Sequence, residues 1–239
     1  MNDSKLFKKL IACLDLSAID ADDTATIDAM CSRAHTPHGN VSAVSVKPQF
    51  VAQAKKQLAN SSVQLAAVIN FPEGGEDTLA LEQKTAEAIA NGADEIEFLM
   101  AHKALSEGRP GFAETQIVRI KRVCGEKPLK VILEVGSLDR NETIREATDV
   151  ALAAGADILV SASDTADANL NIAQLENVLS VVAKQNKAPG IKFGGRLTSI
   201  VQAQSLYESA KSIYGENTLD ANHFRLIGND VLDEMLAKI

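Results

Sequence analysis

The residues in this sequence whose types and spacing suit chemistry are charged side chains set inside apolar runs. They are Asp15 in LDLS, Glu97 in DEIEF, Lys130 and Glu134 in LKVILEVG, and Lys192 in GIKFGG. Extended backbone turns successive side chains to opposite faces, so Glu95, Glu97 and Leu99 share one face, as do Lys130, Ile132 and Glu134. The outer face of such a strand must pack on helices, so the charged face points inward and Asp15, Glu97, Lys130, Glu134 and Lys192 converge on one interior site. Two readings stay open. Burying charge is costly unless it is paired, so the five can be mutually neutralising ion pairs. They can equally be a group kept for catalysis or ligand binding. In the second case two neighbouring lysines depress each other's pKa. A lysine of pKa ~10.4 is about one part in 2,500 free amine at pH 7, and one shifted to ~7 is half free, a gain on the order of 10³ in nucleophile.

Other chemistries are poorly supplied. His35 and His38 flank a turn in HTPH, His102 follows a strand and His223 precedes one, a pattern of solvated or capping histidines rather than metal ligands. No serine sits in a Gly-x-Ser-x-Gly elbow. Cys13, Cys31 and Cys124 are odd in number and far apart, which suits a reducing compartment and offers neither a disulfide framework nor a zinc site. The pair Gly194 and Gly195, followed by Arg196, has the form of a backbone N–H cradle for phosphate where a strand ends and a helix begins, and also the form of a simple turn. Asn70 and Ser161, at other strand ends, complete the ligand-binding candidates.

The elements that must position these residues are eight β-type runs, at 10–17, 41–48, 63–72, 94–101, 129–136, 156–163, 190–195 and 223–229, alternating with amphipathic helical runs. NGAD at 91–94 and AGAD at 154–157 recur at the same helix-to-strand junction and mark internal repetition. Eight such units in 239 residues predict an α/β fold, a single-domain (β/α)8 TIM barrel spanning 1–239. An open doubly wound sheet is the alternative, but no Gly-x-Gly-x-x-Gly turn follows the first strand. In a barrel, chemistry sits at the C-terminal ends of the strands.

A net charge of −8 and a pI near 5.1 argue against nucleic acid or an anionic membrane as partner. The apolar run Leu10–Leu14 is too short for a signal peptide, and no stretch approaches the ~20 apolar residues of a membrane span. A soluble, cytoplasmic protein is expected.

In order and spacing, LDLS, HTPHGN, INFPEGG, NGADEIEF, LKVILEVG, AGADILV, GIKFGGRLT and HFRLIGND resemble the deoxyribose-phosphate aldolases over essentially the whole chain. The resemblance implies a (β/α)8 barrel and a class I aldolase that needs neither metal nor cofactor. Its reaction is reversible cleavage of 2-deoxyribose 5-phosphate to acetaldehyde and glyceraldehyde 3-phosphate, through an imine on lysine. That lysine lies on the sixth strand in a phrase like ADFIKTSTG, and here the phrase is ADILVSASD, with Val160 at the lysine position. A valine has no amine, so the family's covalent step cannot occur there. Lys192 matches the family's second lysine, Glu97 its strand-four aspartate, and Asp15 and Lys130 polar positions inside the barrel. A glycine–lysine pair of the phosphate end is Asp164 and Thr165 here, and a small residue opening the last helix is Asp230, which can also be read as a helix N-cap. An aspartate about 5 Å from one phosphate charge costs on the order of 3 kcal/mol at an effective dielectric near 20, which disfavours a phosphorylated ligand.

The expectation is therefore a divergent lyase acting on a small carbonyl or sugar substrate, a possible homodimer, with Lys192 as amine, Lys130 as the neighbour that lowers its pKa, and Glu97 with Asp15 as acid/base relay. A non-catalytic barrel that binds a small ligand or a partner is the rival expectation. Carbonyl chemistry without an imine is a third.

Overall fold

The computed structural model describes residues 3–163, 172–186, 188–195, 197–215 and 219–239. Eight parallel strands close into a barrel: β1 (Leu14–Ala18), β2 (Ala43–Val46), β3 (Gln64–Ile69), β4 (Glu95–Leu99), β5 (Leu129–Ile132), β6 (Ile158–Val160), β7 (Gly190–Phe193) and β8 (Phe224–Ile227). Each pairs with the next, and β8 closes on β1 through Leu14 beside Leu226 and Asp15 beside Ile227. This is the (β/α)8 barrel that the alternation of the sequence predicts.

The helices are α1 (Asp3–Ile11), α2 (Thr24–Arg33), α3 (Val51–Gln57), α4 (Thr78–Ala90), α5 (His102–Ser106), α6 (Pro110–Cys124), α7 (Asn141–Ala153), α8 (Ile172–Val182), α9 (Ile200–Tyr214) and α10 (Val231–Leu236). Each predicted strand is present, generally shorter at its ends. The one displaced start is β1. Leu10 and Ile11, read as its beginning, instead finish α1, because Phe7, Leu10 and Ile11 recur at helical spacing and bury one face.

The NGAD and AGAD junctions share a mechanism. Gly92 at φ +107° and Gly155 at φ +92° reverse the chain after α4 and α7, a backbone region in which other residues are strained. The aspartate that follows then ties neighbouring units together. Asp94 accepts the Leu65 amide at the start of β3 at 3.1 Å and the Lys55 ammonium of α3 at 2.7 Å. Asp157 accepts the Leu129 amide at the start of β5 at 2.7 Å and the Lys121 ammonium of α6 at 2.5 Å. The repeated carboxylate thus sets the register at the bottom of the barrel, opposite the ends where a site is built.

Side-chain alternation divides the apolar residues into two clusters. Outward-facing Leu16, Val44, Leu65, Phe98, Val131, Leu159 and Ile191 join the helices in one large core. A second cluster, of Ile19, Val68, Leu99, Ile132 and Val160 with Phe71 against it, lies inside the barrel. No described helix is long and apolar enough to cross a membrane.

Candidate functional site

The lower barrel interior is filled by charge. The Lys192 ammonium of β7 donates to both carboxylate oxygens of Glu97 on β4, at 3.0 and 2.8 Å. Lys192 also lies 3.3 Å from Asp15 of β1, and Lys130 of β5 lies 2.7 Å from the same Asp15 oxygen. The expected convergence of Asp15, Glu97, Lys130 and Lys192 is therefore present. The structure adds two members. Arg225 of β8 binds Glu95 through both terminal nitrogens, at 2.9 and 2.7 Å, and reaches Asp15 at 3.2 Å, while Lys130 contacts Glu95 at 2.7 Å. Three carboxylates and three cations thus form one closed group, and all six residues are buried.

Glu95 shares the face of Glu97, so alternation made it legible. Arg225 was missed, although it stands at a strand position inside HFRLIGN and lies beside Lys192 in the β7–β8 register. Glu134 does not join the group. β5 ends at Ile132, and at φ +52° Glu134 is already in the turn that follows, where period-two alternation no longer applies. Its carboxylate accepts the Ser163 amide at 3.3 Å instead.

The electrostatics follow from this pairing. For Asp15, burial favours the neutral acid, but Lys130, Arg225 and Lys192 outweigh it and hold the carboxyl far below its ordinary range. Burial likewise opposes the Glu95 carboxylate, and Lys130 and Arg225 reverse the outcome. Burial alone would lower Lys192, but Glu97 and Asp15 prevail and raise it above the ordinary lysine range. The expectation of a lowered lysine is thereby corrected for Lys192. The neighbouring cation is outweighed by two carboxylates in direct contact, so the resting state is an ammonium, not a free amine.

Above this layer is hydrocarbon. Val160 lies between Ile132 and Lys192 in the register and packs with Val68, Leu99, Ile132 and Ile19, completely buried. It therefore points into the barrel and not among the helices. Lys192 itself is only 1% exposed. What stands between the charged layer and the mouth is an apolar layer.

Among the remaining candidates, Ser161, Gly194 and Asn70 make hydrogen bonds within the scaffold. The Ser161 hydroxyl accepts the Gly194 amide at 2.9 Å, so that N–H of the expected phosphate cradle is already engaged. Gly194 is required for another reason: a Cβ there would stand 1.6 Å from the Ala162 carbonyl oxygen. Gly195, at φ +89°, supports the turn reading of the pair. Arg196, Asp164 and Thr165 lie outside the described residues. Asp230 occupies the N-cap position of α10 without a side-chain cap bond. Its neighbour Asn229 uses its amide to pair with the Ser17 backbone, accepting at 2.8 Å and donating at 2.6 Å. Asn70, at φ +67°, folds its amide into the 70–75 loop, donating to Gly75 and Leu99 carbonyls at 3.1 and 2.8 Å and accepting the Gly75 amide at 2.8 Å.

A cleft of about 850 Å³, lined by Asn70 among others, runs from the C-terminal ends of β1 to β3 along the flank of α4 as far as Asn91. Ile19, Val68 and Phe71 form part of its lining, which joins it to the apolar layer. Its wall, the 70–77 loop, is fastened from outside: Arg109 grips Glu76 at 3.0 and 2.5 Å, and Gln116 donates to the Gly75 carbonyl at 3.1 Å. Among the described residues no group of His, Cys, Asp and Glu is arranged to hold a metal ion.

Comparison with known proteins places this geometry in context. A protein from Toxoplasma gondii ME49, provisionally named a deoxyribose-phosphate aldolase, superposes with a TM-score of 0.88 at 22% identity, over 97% of this chain and 93% of its own. QR15, described as an aldolase, gives 0.81 at 21% identity, over 96% of each chain. The deoxyribose phosphate aldolase from Aeropyrum pernix, whose structure is described as tetrameric, gives 0.80 at 17% identity, over 97% of this chain and 91% of its own. These likenesses establish the fold. The family model of the DeoC/LacD family aldolases matches residues 9–201, a span from the end of α1 into the start of α9 that takes in the strands bearing Asp15, Glu97, Lys130, Val160 and Lys192. The chain belongs to the DeoC/LacD aldolase family.

Proposed function

We propose that this member of the family binds a small molecule at the barrel mouth without forming the imine on which the deoxyribose-phosphate aldolase reaction depends. The observation that carries the reading is the interior position of Val160, in an apolar layer over a charged group whose lysines are both paired. Imine formation needs a neutral amine that can reach the carbonyl carbon. Lys192 meets neither condition, being buried and held as an ammonium by Glu97 and Asp15. Lys130 is fully buried between Asp15 and Glu95.

A second reading rests on the survival of that charged group. In this reading the apolar layer parts on substrate entry, and the Lys192 ammonium, beside Val160 in the register, stabilises negative charge on a carbonyl oxygen, so that aldol-type lyase chemistry through an enediolate replaces imine chemistry. The small carbonyl or sugar compound expected from the sequence is the natural ligand of this second reading, and a homodimer is its expected assembly.

Borohydride trapping with acetaldehyde, followed by peptide mapping, tests the first reading. No adduct is expected on Lys192 or Lys130 of the wild-type protein, and Val160→Lys is expected to gain one at residue 160. Cleavage of 2-deoxyribose 5-phosphate by the wild type well above buffer background would reject the first reading. Turnover with no trapped adduct would select the second.

A further inference from the structure

Resting on the imine-free reading and narrowing its ligand, we infer that the cleft over β1 to β3 takes a small compound with an apolar body and a protonated amine. The cleft, at about 850 Å³, is in the range of small-molecule sites. Ile19, Val68 and Phe71, with Pro48, Pro72 and Leu81, form its apolar part, and Gln49 and Asn91 also line it. Ile19 and Val68 pack with Leu99, Ile132 and Val160, so this part of the lining is backed by hydrocarbon. A polyol laid on it would lose water without replacing the hydrogen bonds, whereas an alkyl or aryl group would gain from burial.

The rim sets the charge of the other end. Asp20, Asp22, Glu73 and Glu87 line the cleft with only Lys47 and Lys84 against them. Lys47 is already held, at 2.8 Å from Asp22 and 3.1 Å from the Ala21 carbonyl. An adjoining cleft of about 420 Å³ shares Ile19, Asp20 and Asp22 and adds Asp23. The amide of Asn70, the polar group nearest the floor in sequence, is committed to Gly75 and Leu99. A surplus of exposed carboxylates around an apolar floor attracts an ammonium and repels a phosphate or carboxylate, and the complementarity extends to the net charge of −8.

Titration calorimetry of the full chain at low salt, with n-hexylamine, 1-hexanol, hexanoate and 2-deoxyribose 5-phosphate as probes, tests this. Hexylamine is expected to bind most tightly and hexanol next, with hexanoate weaker than the amine by about tenfold once the rim charges are screened by water. The sugar phosphate is expected not to bind. The double variant Glu73→Gln and Glu87→Gln changes only exposed side chains. It should shrink the amine-over-carboxylate ratio by about threefold or more. Val68→Thr, equal in size but polar, should weaken hexylamine and hexanol alike. Binding of hexanoate or the sugar phosphate as tight as that of hexylamine, or of no probe at all, would overturn the proposal, as would amine binding indifferent to both variants. Trapping of an aldehyde on the wild-type protein would instead remove the imine-free reading while leaving this ligand preference standing.

Discussion

Placing a lysine at residue 160 measures directly whether the barrel interior is as dry as its packing implies. Val160 is fully buried, its neighbours in contact are Ile19, Val68, Leu99 and Ile132, and the residue beside it on β7 is Lys192. Burial and an adjacent ammonium both disfavour a second positive charge, and buried lysines are lowered by up to 3–5 units. A drop from ~10.4 to ~7 in the folded state corresponds to about 4.6 kcal/mol of penalty on the charged form. The unfolded chain then binds more protons than the folded one between about pH 7 and 10.4, so stability rises with pH across that window. Below it both states are protonated and the penalty is constant at its maximum; above it the penalty is gone. Urea unfolding of Val160→Lys, Val160→Met and wild type at about pH 6, 8 and 10 reads this out. The methionine variant isolates the cost of a longer side chain. The lysine variant should lose several kcal/mol more than the methionine variant at the lowest pH and approach it at the highest. A gap between the two that stays under about 1 kcal/mol at every pH would mean that residue 160 reaches water, and the dry apolar layer over the charged group would be refuted.

Acid stability should follow the buried carboxyls. Asp15 and Glu95 are held below their ordinary values, so their stabilisation is present above about pH 4 and is lost as pH falls through the folded-state values. Asp15→Asn should destabilise the protein by about 3–5 kcal/mol at neutral pH, flattening the acid limb of the unfolding curve; an unchanged limb would contradict the pairing. Gly194→Ala should prevent folding or remove more than about 4 kcal/mol, since its methyl group would overlap the Ala162 carbonyl, and a variant of native stability by thermal melting would refute that close approach. The thiols of Cys13, Cys31 and Cys124 are buried, and burial pushes them up to about 12, 11 and 11. An aromatic disulfide reagent at about pH 8 should therefore label none of them until urea unfolds the chain, and rapid labelling of the native protein would show the burial to be wrong.

The barrel was legible because its signals are local. Apolar runs bounded by turn residues, helical spacing between them and a repeated Gly-Ala-Asp junction each constrain a few consecutive residues, and each predicts the same topology. The interior position of Glu95, Glu97 and Lys130 was legible for the same reason, since alternation within one strand fixes a face. It failed at Glu134, where the strand stops two residues earlier and the chain enters a left-handed turn that the composition does not announce. It also failed at Leu10 and Ile11, an apolar pair that serves a helix end as readily as a strand start.

By itself, the sequence determined that a (β/α)8 barrel would form, that charge would line its interior, and that residue 160 would carry no amine. Only the tertiary structure decided what those charges do. Lys192 meets Glu97 across 95 positions of sequence, and Arg225 meets Asp15 across 210, so whether a lysine is a free nucleophile or half of an ion pair depends on strands that touch only when the barrel closes. The same closure buries Val160 beneath Ile19 and Val68 and leaves the open space to one side, over β1 to β3. Side-chain identity is local, but protonation state and access to solvent are set by the summed field and packing of distant neighbours, which no stretch of sequence contains.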